Sequence, residues 1–151
     1  MSAALHLAKP EHLGKLLPLV AACHEEIGRD SNAEQREAGI APRLEGMPYG
    51  AVYIICPTRA PIGYIVVTFS WSVAFGGMDG MVDEIYIRPA VRGRGIATEV
   101  LTELPKTLAE AGITALHFTV DQANEQAQRL YARARFQPRE GEMLMSKRLI
   151  P

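Results

Sequence analysis

The sequence predicts a mixed α/β fold, in which a central mixed sheet is flanked by helices. In the first half of the chain, short apolar segments rich in β-branched and aromatic residues follow one another through short turns, as in an antiparallel meander. In the second half, segments of helical periodicity alternate with apolar strands. A meander followed by β-α-β-α-β gives a mixed sheet and not a pure doubly wound one.

The chain is predicted to begin with a short strand and two helices. Ala3–Leu7 is the short strand, and Pro10 suits the first turn of a helix. Apolar residues keep a helical period up to Ile27, and Gly28 is expected to end this helix. A weaker pattern predicts a second helix over Ala33–Glu45.

Three strands of the meander follow these helices. Ala51–Cys56 and Ile62–Trp71 are rich in β-branched and aromatic residues, and the turn at Pro57–Pro61 joins them into a hairpin. The glycines of Gly76–Gly80 predict a second turn, and Met81–Ile87 is predicted to be the next strand.

The second half of the chain is predicted to contain two helices and two strands. The segment RGRGIA leads into a helix with a regular apolar face, which is expected to end near Gly112. The remaining elements are a strand at Leu116–Val120, a helix at Glu125–Ala134 and a closing strand at Met143–Leu149.

Length and charge exclude several classes of protein. The 151 residues correspond to a single domain, residues 1–151. The net charge of −1 argues against a general nucleic-acid binder, which is usually clearly basic. The charge is nevertheless uneven, because residues 1–87 sum to −4 and residues 88–151 sum to +3. We therefore expect the two halves to face different chemical groups.

A cytoplasmic protein without a metal is expected. No apolar run approaches the roughly 18 residues that a membrane span needs, and the first residues lack the pattern of a signal peptide. Cys23 and Cys56 form neither a disulfide framework nor a CxxC pair. The histidines show no metal-ligand spacing; His24 is expected on a solvated helix face, and His117 in a buried strand.

A glycine- and arginine-rich loop carries the clearest functional pattern. Arg92, Gly93, Arg94, Gly95 and Ala97 lie between a predicted strand and the start of a helix. A helix start presents free backbone N–H groups and a positive dipole end, and small residues let an anion approach them closely. The pattern predicts a pyrophosphate site. The alternative is an ordinary capped helix with solvated arginines.

This segment resembles the acetyl-coenzyme A (acetyl-CoA) loop of the GCN5-related N-acetyltransferase (GNAT) superfamily. The family pattern Gln/Arg-x-x-Gly-x-Gly/Ala is present as Arg92, Gly95 and Ala97. Downstream, Asn124–Tyr131 resembles the family's Asn-x-x-Ala-x-x-Leu-Tyr helix, and the aromatic Phe136 follows it. The two motifs have the family's order and spacing, which is far more specific than either motif alone.

One position departs from the family pattern. Arg135 stands where the family commonly has glycine before the aromatic residue. Glycine at this point would serve a helix end that needs a positive φ. The arginine therefore predicts a different exit from the helix.

The resemblance implies the acyl-CoA N-acyltransferase fold of the GNAT family and an N-acetyltransferase that uses acetyl-CoA as co-substrate. The loop amides would bind the pyrophosphate, and the preceding strand would pair with the pantetheine arm. Asn124 would hydrogen-bond the pantetheine, and Tyr131 would lie near the sulfur. The implied cofactor-binding residues are Ile85, Tyr86, Ile87, Arg92, Gly93, Arg94, Gly95, Ile96, Ala97, Asn124 and Tyr131.

Amine acetylation needs a proton acceptor, because an alkyl amine with a pKa of about 10 is protonated at neutral pH. Asp83 and Glu84 are the candidate bases, with Glu84 slightly favoured and with an ion pair near the arginine loop as the structural alternative. In a regular strand they would point to opposite faces, so only one could face the substrate unless a bulge exchanged them. Tyr131 is the candidate proton donor to the departing thiolate.

The acceptor is expected to be a small-molecule amine that lies against the first half of the chain. Trp71, Phe75 and Asp79 are the candidate contacts, because aromatic and acidic groups attract a cationic amine. A protein N-terminus or lysine is the alternative acceptor. A non-catalytic acyl-CoA-binding module is the alternative function. A homodimer would be the commonest assembly, and the sequence does not test it.

Overall fold

The structure is a computed structural model and describes residues 4–151. In these residues the sheet is formed by β1 (Leu5–Leu7), β2 (Gly50–Ile55), β3 (Gly63–Ser72), β4 (Gly77–Ile87) and β5 (Leu116–Phe118). The α-helices are α1 (Leu13–Ile27), α2 (Ala33–Leu44), α3 (Ile96–Glu110) and α4 (Glu125–Arg133). The predicted first strand is thus confirmed from Leu5 onward, whereas Ala3 lies outside the described residues.

The sheet is mixed, as the sequence predicts. Strands β1 to β4 lie side by side in chain order and pair antiparallel, whereas β5 pairs parallel with β4. The parallel ladder is short, because on β4 only Gly80, Met81 and Val82 pair with β5. The ladder ends at Val82 and Phe118, and we call this point the split between β4 and β5. No other strand of the described chain pairs with the rest of that edge of β4.

Helices cover both faces of the sheet and divide the core into two layers. On the α1/α2 face, the buried side chains of these helices pack against residues such as Val52, Tyr64 and Val66. On the α3/α4 face, α3 packs against residues such as Ile65 and Val67. Because both faces are covered, β2 and the first half of β3 are apolar at nearly every position and do not alternate.

The helix ends follow the signals in the sequence. Gly28 ends α1 with a φ of 71°, in the left-handed region that glycine enters without strain. Asn32 precedes α2, and its side chain accepts a hydrogen bond from the backbone N–H of Gln35. None of the helices among residues 4–151 combines the length and the apolar character that a membrane span requires.

Two of the predicted elements are wrong in part or in whole. The turn expected at Gly76–Gly80 is shorter, because β4 already begins at Gly77 and pairs there with Ser72. The closing strand expected at Met143–Leu149 is absent, and Met143 and Leu149 are more than four-fifths exposed. The apolar pattern of that segment favours a strand, but a strand also needs a paired neighbour, and this segment has none among residues 4–151.

The expected different exit from α4 is also wrong. Arg135 has a φ of 70°, so it adopts the left-handed conformation that glycine would supply. Its backbone N–H donates to the carbonyl of Ala132, and the N–H of Phe136 donates to the carbonyl of Tyr131. The hydrogen bonds of the helix end thus retain the turn, and Arg135 is held in a conformation that L residues rarely adopt.

Candidate active site

A β-bulge in β4 sets the direction of the two adjacent acids. Val66 of β3 pairs with Glu84, but the next residue, Val67, pairs with Val82, so Asp83 is the extra residue. A bulge breaks the alternation of side chains between the two faces. The Asp83 carboxylate contacts α2 and the Glu84 carboxylate contacts α1, so both lie on the α1/α2 face. The sequence expectation of opposite faces applies to a regular strand, and the structure has the bulge that was left open as the alternative.

Glu84 is buried in a network of three hydrogen-bond donors. One carboxylate oxygen accepts from the Tyr64 hydroxyl at 2.8 Å. The other accepts from His24 Nε2 at 2.7 Å and from Arg29 Nη1 at 2.5 Å. Burial raises the pKa of Tyr64, so the phenol keeps its proton and can donate it. These contacts tie β4 to the C-terminal end of α1 and leave the Glu84 side chain only 10% exposed.

His24 is the part of this network that the sequence interpretation missed. It is 8% exposed and not solvated, because it lies one helical turn after Val20 on the apolar face of α1. Its Nδ1 lies 2.7 Å from Ser31 Oγ, which also accepts from Arg36 at 3.1 Å. Since Glu84 can only accept, His24 donates from Nε2, and Ser31 can donate to Nδ1. The spacing from Val20 was the available signal.

Asp83 is the accessible member of the acidic pair. Its side chain is 49% exposed, and its contact is an ion pair with Arg43, at 3.5 Å between Oδ2 and Nη2. Arg43 is itself fixed by hydrogen bonds to the Val67 carbonyl and to Thr68 Oγ1, at 3.1 and 2.9 Å. Asp83 therefore presents a carboxylate to the solvent side of the site, whereas Glu84 is enclosed.

A small cavity of about 70 Å³ lies at the split, where the pairing of β4 with β5 ends. It brings the three predicted catalytic residues together, because Asp83, Glu84 and Tyr131 all contribute to its wall. The complete lining is formed by Val82, Asp83, Glu84, Ile85, Leu101, Phe118, Thr119 and Tyr131.

Tyr131 is held in this cavity by an aromatic cluster. Its ring centroid lies 4.0 Å from that of Phe118, which lies 4.5 Å from that of Phe136. Burial raises the pKa of Tyr131, so the phenol keeps its proton at neutral pH. Each side chain of the cluster packs in the core of the α3/α4 face, and α4 positions the tyrosine at the split between the strands.

The loop before α3 presents a row of free backbone donors. Gly93 and Gly95 have φ values of 80° and 77°, and nothing lies within 4 Å of the place where a Cβ would be at either position. The first helical hydrogen bond runs from the N–H of Glu99 to the Gly95 carbonyl. Within the described chain, the N–H groups of residues 93–98 have no acceptor, and they lie at the positive end of the α3 dipole.

Arg92 is committed to contacts within the protein. Its two terminal nitrogens each lie 2.7 Å from a carboxylate oxygen of Glu26, and its Nε donates to the Ile87 carbonyl at 2.8 Å. Its guanidinium also lies over the Tyr86 ring, 5.5 Å from the centroid. The hydrogen bond from Arg92 lowers the pKa of Glu26. Arg92 therefore links the loop to α1, and its side chain is not free for an anion.

Arg88, which follows β4, and Arg94, which lies in the loop before α3, differ in their contacts. Arg88 donates from Nε to the Pro61 carbonyl at 2.7 Å. Arg94 is exposed, and among residues 4–151 its side chain has no hydrogen-bond or ion-pair partner. Arg94 is thus the arginine of this loop that remains available to a phosphate group.

Comparison with protein families shows to which family the chain belongs. Residues 15–136 match the acetyltransferase (GNAT) family, which is far more than half of the chain. The chain belongs to the GNAT family. It is an N-acetyltransferase, and enzymes of this family generally use acetyl-CoA and act on amines. No curated protein sequence matches the acetyltransferase.

Solved structures share the fold of the acetyltransferase over almost its whole length. An integron cassette protein from the mobile metagenome of Cole Harbour Salt Marsh has a TM-score of 0.83 at 25% identity, over 97% of this chain and 91% of its own. A ribosomal-protein-alanine N-acetyltransferase from Brucella melitensis biovar Abortus 2308 has 0.76 at 16% identity, over 97% and 99%. An aminoglycoside acetyltransferase from an uncultured soil metagenomic sample has 0.76 at 18% identity, over 99% and 100%. The last two show the fold alone.

Asn124 has a structural task in the acetyltransferase. Its side-chain carbonyl accepts from the N–H of Ala127 at 3.0 Å and so caps α4. The side-chain NH₂ group is not used by this cap. A contact between Asn124 and the pantetheine arm remains a prediction, and it would use the NH₂ group.

The three predicted acceptor contacts are not brought together. Phe75 and Asp79 meet around His117, which lies 3.0 Å from Asp79 and whose ring centroid is 5.6 Å from that of Phe75. Trp71 is 74% exposed and lies on the side of β3 that faces α3 and α4. It is therefore on the opposite side of the sheet from Asp79 and His117. His117 is half-buried, and its hydrogen bond to Asp79 is a contact that the sequence interpretation missed.

Proposed function

We propose that the acetyltransferase moves the acetyl group of acetyl-CoA to the primary amine of a small molecule by direct attack on the thioester. The observation that carries the proposal is the split between β4 and β5. At this split, Asp83 and Tyr131 both line one cavity, on the edge of a strand that leads to the loop before α3. Asp83 carries an accessible carboxylate, and Tyr131 carries a phenol that keeps its proton. A base, an acid and an anion site in this arrangement are what acetyl transfer requires.

The residues present fit acetyl-CoA, which supplies the acetyl group as a thioester with a thiolate as leaving group. The N–H groups of residues 93–98 would bind the pyrophosphate, and Arg94 would add a positive charge. On β4, Ile85, Tyr86 and Ile87 pair with β3 on one side only, so their other edge is open to the amide groups of the pantetheine arm.

Asp83 is the proposed base for the acceptor amine. It is half-exposed and makes one ion pair, whereas both oxygens of Glu84 already accept hydrogen bonds inside the protein. The geometry therefore favours Asp83 over Glu84, which the sequence had favoured slightly. Asp83 would take the amine proton at Oδ1 or Oδ2, directly or through a water molecule.

Tyr131, the candidate proton donor, is proposed to act as a hydrogen-bond donor to the departing thiolate. Its raised pKa keeps a proton on Oη, and its Oη has no hydrogen-bond partner among the described residues. The phenol is a weak acid, so a hydrogen bond to the developing thiolate accounts for the stabilisation better than full proton transfer.

The small cavity supports a small amine as the acceptor, since its volume is far below that of an ordinary ligand pocket. The names of the Brucella and soil-metagenome proteins give two different acceptors, a ribosomal-protein alanine and an aminoglycoside. The shared fold therefore does not distinguish a protein acceptor from a small-molecule acceptor.

Release of the coenzyme A thiol in the presence of alkyl amines, an aminoglycoside and peptides tests the proposal. We expect thiol release that depends on a small amine, with an N-acetylated product identified by mass. Thiol release only with peptides would replace the small-amine acceptor with a protein. Binding of acetyl-CoA without turnover of any amine would favour the non-catalytic acyl-CoA-binding module.

A further inference from the structure

We propose that Glu26 is a positioning residue for the acetyl-CoA site, because it holds Arg92 and thereby keeps the free amides of the loop before α3 in the arrangement that binds the pyrophosphate. Glu26 lies on α1, outside the loop, and acts through Arg92 and not on acetyl-CoA itself. This inference rests on the proposed function and assigns a task to an acid that the function does not use.

The contact between Glu26 and Arg92 is bidentate. The two terminal guanidinium nitrogens of Arg92 each lie 2.7 Å from a different carboxylate oxygen of Glu26. Pairs of this kind fix the orientation of the guanidinium as well as its distance. Arg92 Nε also donates to the Ile87 carbonyl at 2.8 Å, and the guanidinium lies over the Tyr86 ring. The Arg92 side chain is therefore held by α1 on one side and by the end of β4 on the other.

The loop that follows Arg92 has little else to hold it. Among residues 4–151, the N–H groups of residues 93–98 have no acceptor, and the side chain of Arg94 has no partner. Gly93 and Gly95 have no side chain to anchor, and glycine adopts more backbone conformations than any other residue. The contacts of the Arg92 side chain are therefore what attaches the beginning of this loop to the rest of the fold.

The C-terminal end of α1 is a fixed point for this attachment. His24 Nε2 lies 2.7 Å from Glu84 Oε2, and Arg29, just beyond the helix, donates to the same oxygen. Glu26 lies between His24 and Arg29 in the chain. The helix end that is tied to Glu84 on β4 therefore also holds the loop, and it connects the two acids of β4 with the proposed pyrophosphate site.

Charge alone does not explain an acid at this place. Glu26 puts a negative charge beside a loop that is proposed to bind a polyanion, so its direct electrostatic effect opposes binding. It also occupies Arg92, which a phosphate group would otherwise attract. The two side chains are 45% and 41% exposed, so the pair adds little to the stability of the fold. What the pair provides is a loop that is ordered before acetyl-CoA arrives, which lowers the entropic cost of binding.

Calorimetric titration of acetyl-CoA into Glu26→Gln tests the proposal through the sign of the effect. We expect the variant to bind about fivefold more weakly than the wild-type protein at an unchanged Tm, although it has lost a negative charge. Glu25→Gln is the matched control, because Glu25 is the exposed neighbour on α1 and its side chain has no partner in the described part of the chain. This control should bind acetyl-CoA as the wild-type protein does. Equal or tighter binding by Glu26→Gln would overturn the proposal.

Limited digestion with trypsin measures the order of the loop without acetyl-CoA. Trypsin cleaves after arginine, and Arg94 is exposed, so the rate at which the fragment beginning at Gly95 appears reports local opening of the loop. We expect this rate to rise about fivefold in Glu26→Gln and to stay unchanged in Glu25→Gln. Weaker binding of acetyl-CoA without faster cleavage would mean that Glu26 does not act by ordering the loop, and it would also overturn the proposal.

Arg92→Lys keeps the positive charge beside the loop and removes the bidentate contact. It should bind acetyl-CoA as weakly as Glu26→Gln, and the double variant should lose no more than either single variant, because both changes break the same contact. Losses that add would show that Arg92 acts on the phosphates independently of Glu26, which contradicts the proposal.

Thiol release with amines separates this proposal from the proposed function. If Glu26→Gln binds acetyl-CoA more weakly but the wild-type protein acetylates no amine, the positioning role stands and the function fails. If the wild-type protein acetylates amines and Glu26→Gln binds acetyl-CoA equally well, the function stands and the positioning role fails. Absence of acetyl-CoA binding by the wild-type protein would contradict both.

Discussion

At the scale of single residues, the adjacent acids of β4 have different surroundings and should have separable tasks. Asp83→Asn should lower kcat about 100-fold, because general base catalysis typically contributes at least that factor. Its Tm should change little, since exposed ion pairs such as the one with Arg43 contribute about 0–1 kcal/mol. Thiol-release kinetics and thermal unfolding measure the two effects.

Glu84→Gln is the matched comparison and should show the opposite pattern. It weakens a buried carboxylate that accepts from Tyr64, His24 and Arg29, so stability should fall by about 2 kcal/mol. The corresponding change in Tm is about 4–8 °C for a chain of this size. A larger loss of kcat in Glu84→Gln than in Asp83→Asn, with the fold retained, would make Glu84 the base.

Arg135 is a second residue whose conformation leads to a specific expectation. Its φ of 70° is unfavourable for a side chain with a Cβ by about 1 kcal/mol, and glycine removes this strain. Arg135→Gly should therefore raise Tm by about 2–4 °C. Arg135→Ala removes the same charge but keeps the Cβ, so it should leave Tm nearly unchanged. An equal rise in both variants would attribute the effect to charge.

At the scale of the elements, α4 depends on Asn124 in two separable ways. The side-chain carbonyl caps the helix, and the NH₂ group is the part expected to reach the pantetheine arm. Asn124→Asp keeps a capping oxygen but removes the NH₂ donor, so Tm should stay the same while acetyl-CoA binds more weakly. Asn124→Ala should lose about 1 kcal/mol of stability as well. Calorimetry measures the binding of acetyl-CoA to both variants. Unchanged binding in both would mean that Asn124 only caps α4.

The elements also show how far sequence alone leads. The meander, the two helix layers and the loop before α3 follow from periodicity, glycine positions and the resemblance to a family, and the described fold has them. The position of the bulge at Asp83 could not be predicted, because it depends on the register between β3 and β4 and not on either strand alone. The burial of His24 likewise depends on which face of α1 meets the sheet.

At the scale of the whole molecule, the uneven charge has a local explanation. Glu26 of the first half is paired with Arg92 of the second half, so part of each surplus is balanced in the folded protein. Asp83 and Glu84 are also paired with arginines and do not form one unpaired acidic pocket, so the attraction for a cationic amine has to come from particular carboxylates. The sum over a half of the chain cannot show this pairing, because the partners come together only in the folded protein.

The last residues of the chain should contribute little to the stability of the fold. Residues 143–151 have large apolar side chains in solvent, so they bury little surface that could stabilise the fold. Deletion of these residues should change Tm by less than about 2 °C and leave kcat/KM unchanged. A fall of more than about 5 °C in thermal unfolding would show that the segment packs on the free edge of β5, as the sequence pattern had favoured.

The free amides at the start of α3 are proposed to bind acetyl-CoA, and calorimetric titration of Ala97→Pro tests this binding. Ala97 is the second residue of α3, where proline removes an N–H that the helix does not use and places a ring in the path of the phosphates. Glu34→Pro makes the same change at the second residue of α2 and is the control. We expect the wild-type protein and Glu34→Pro to bind acetyl-CoA with similar affinity, and Ala97→Pro to bind at least about tenfold more weakly at an unchanged Tm. No binding by the wild-type protein at high micromolar acetyl-CoA, or equal binding by all three proteins, would contradict the account.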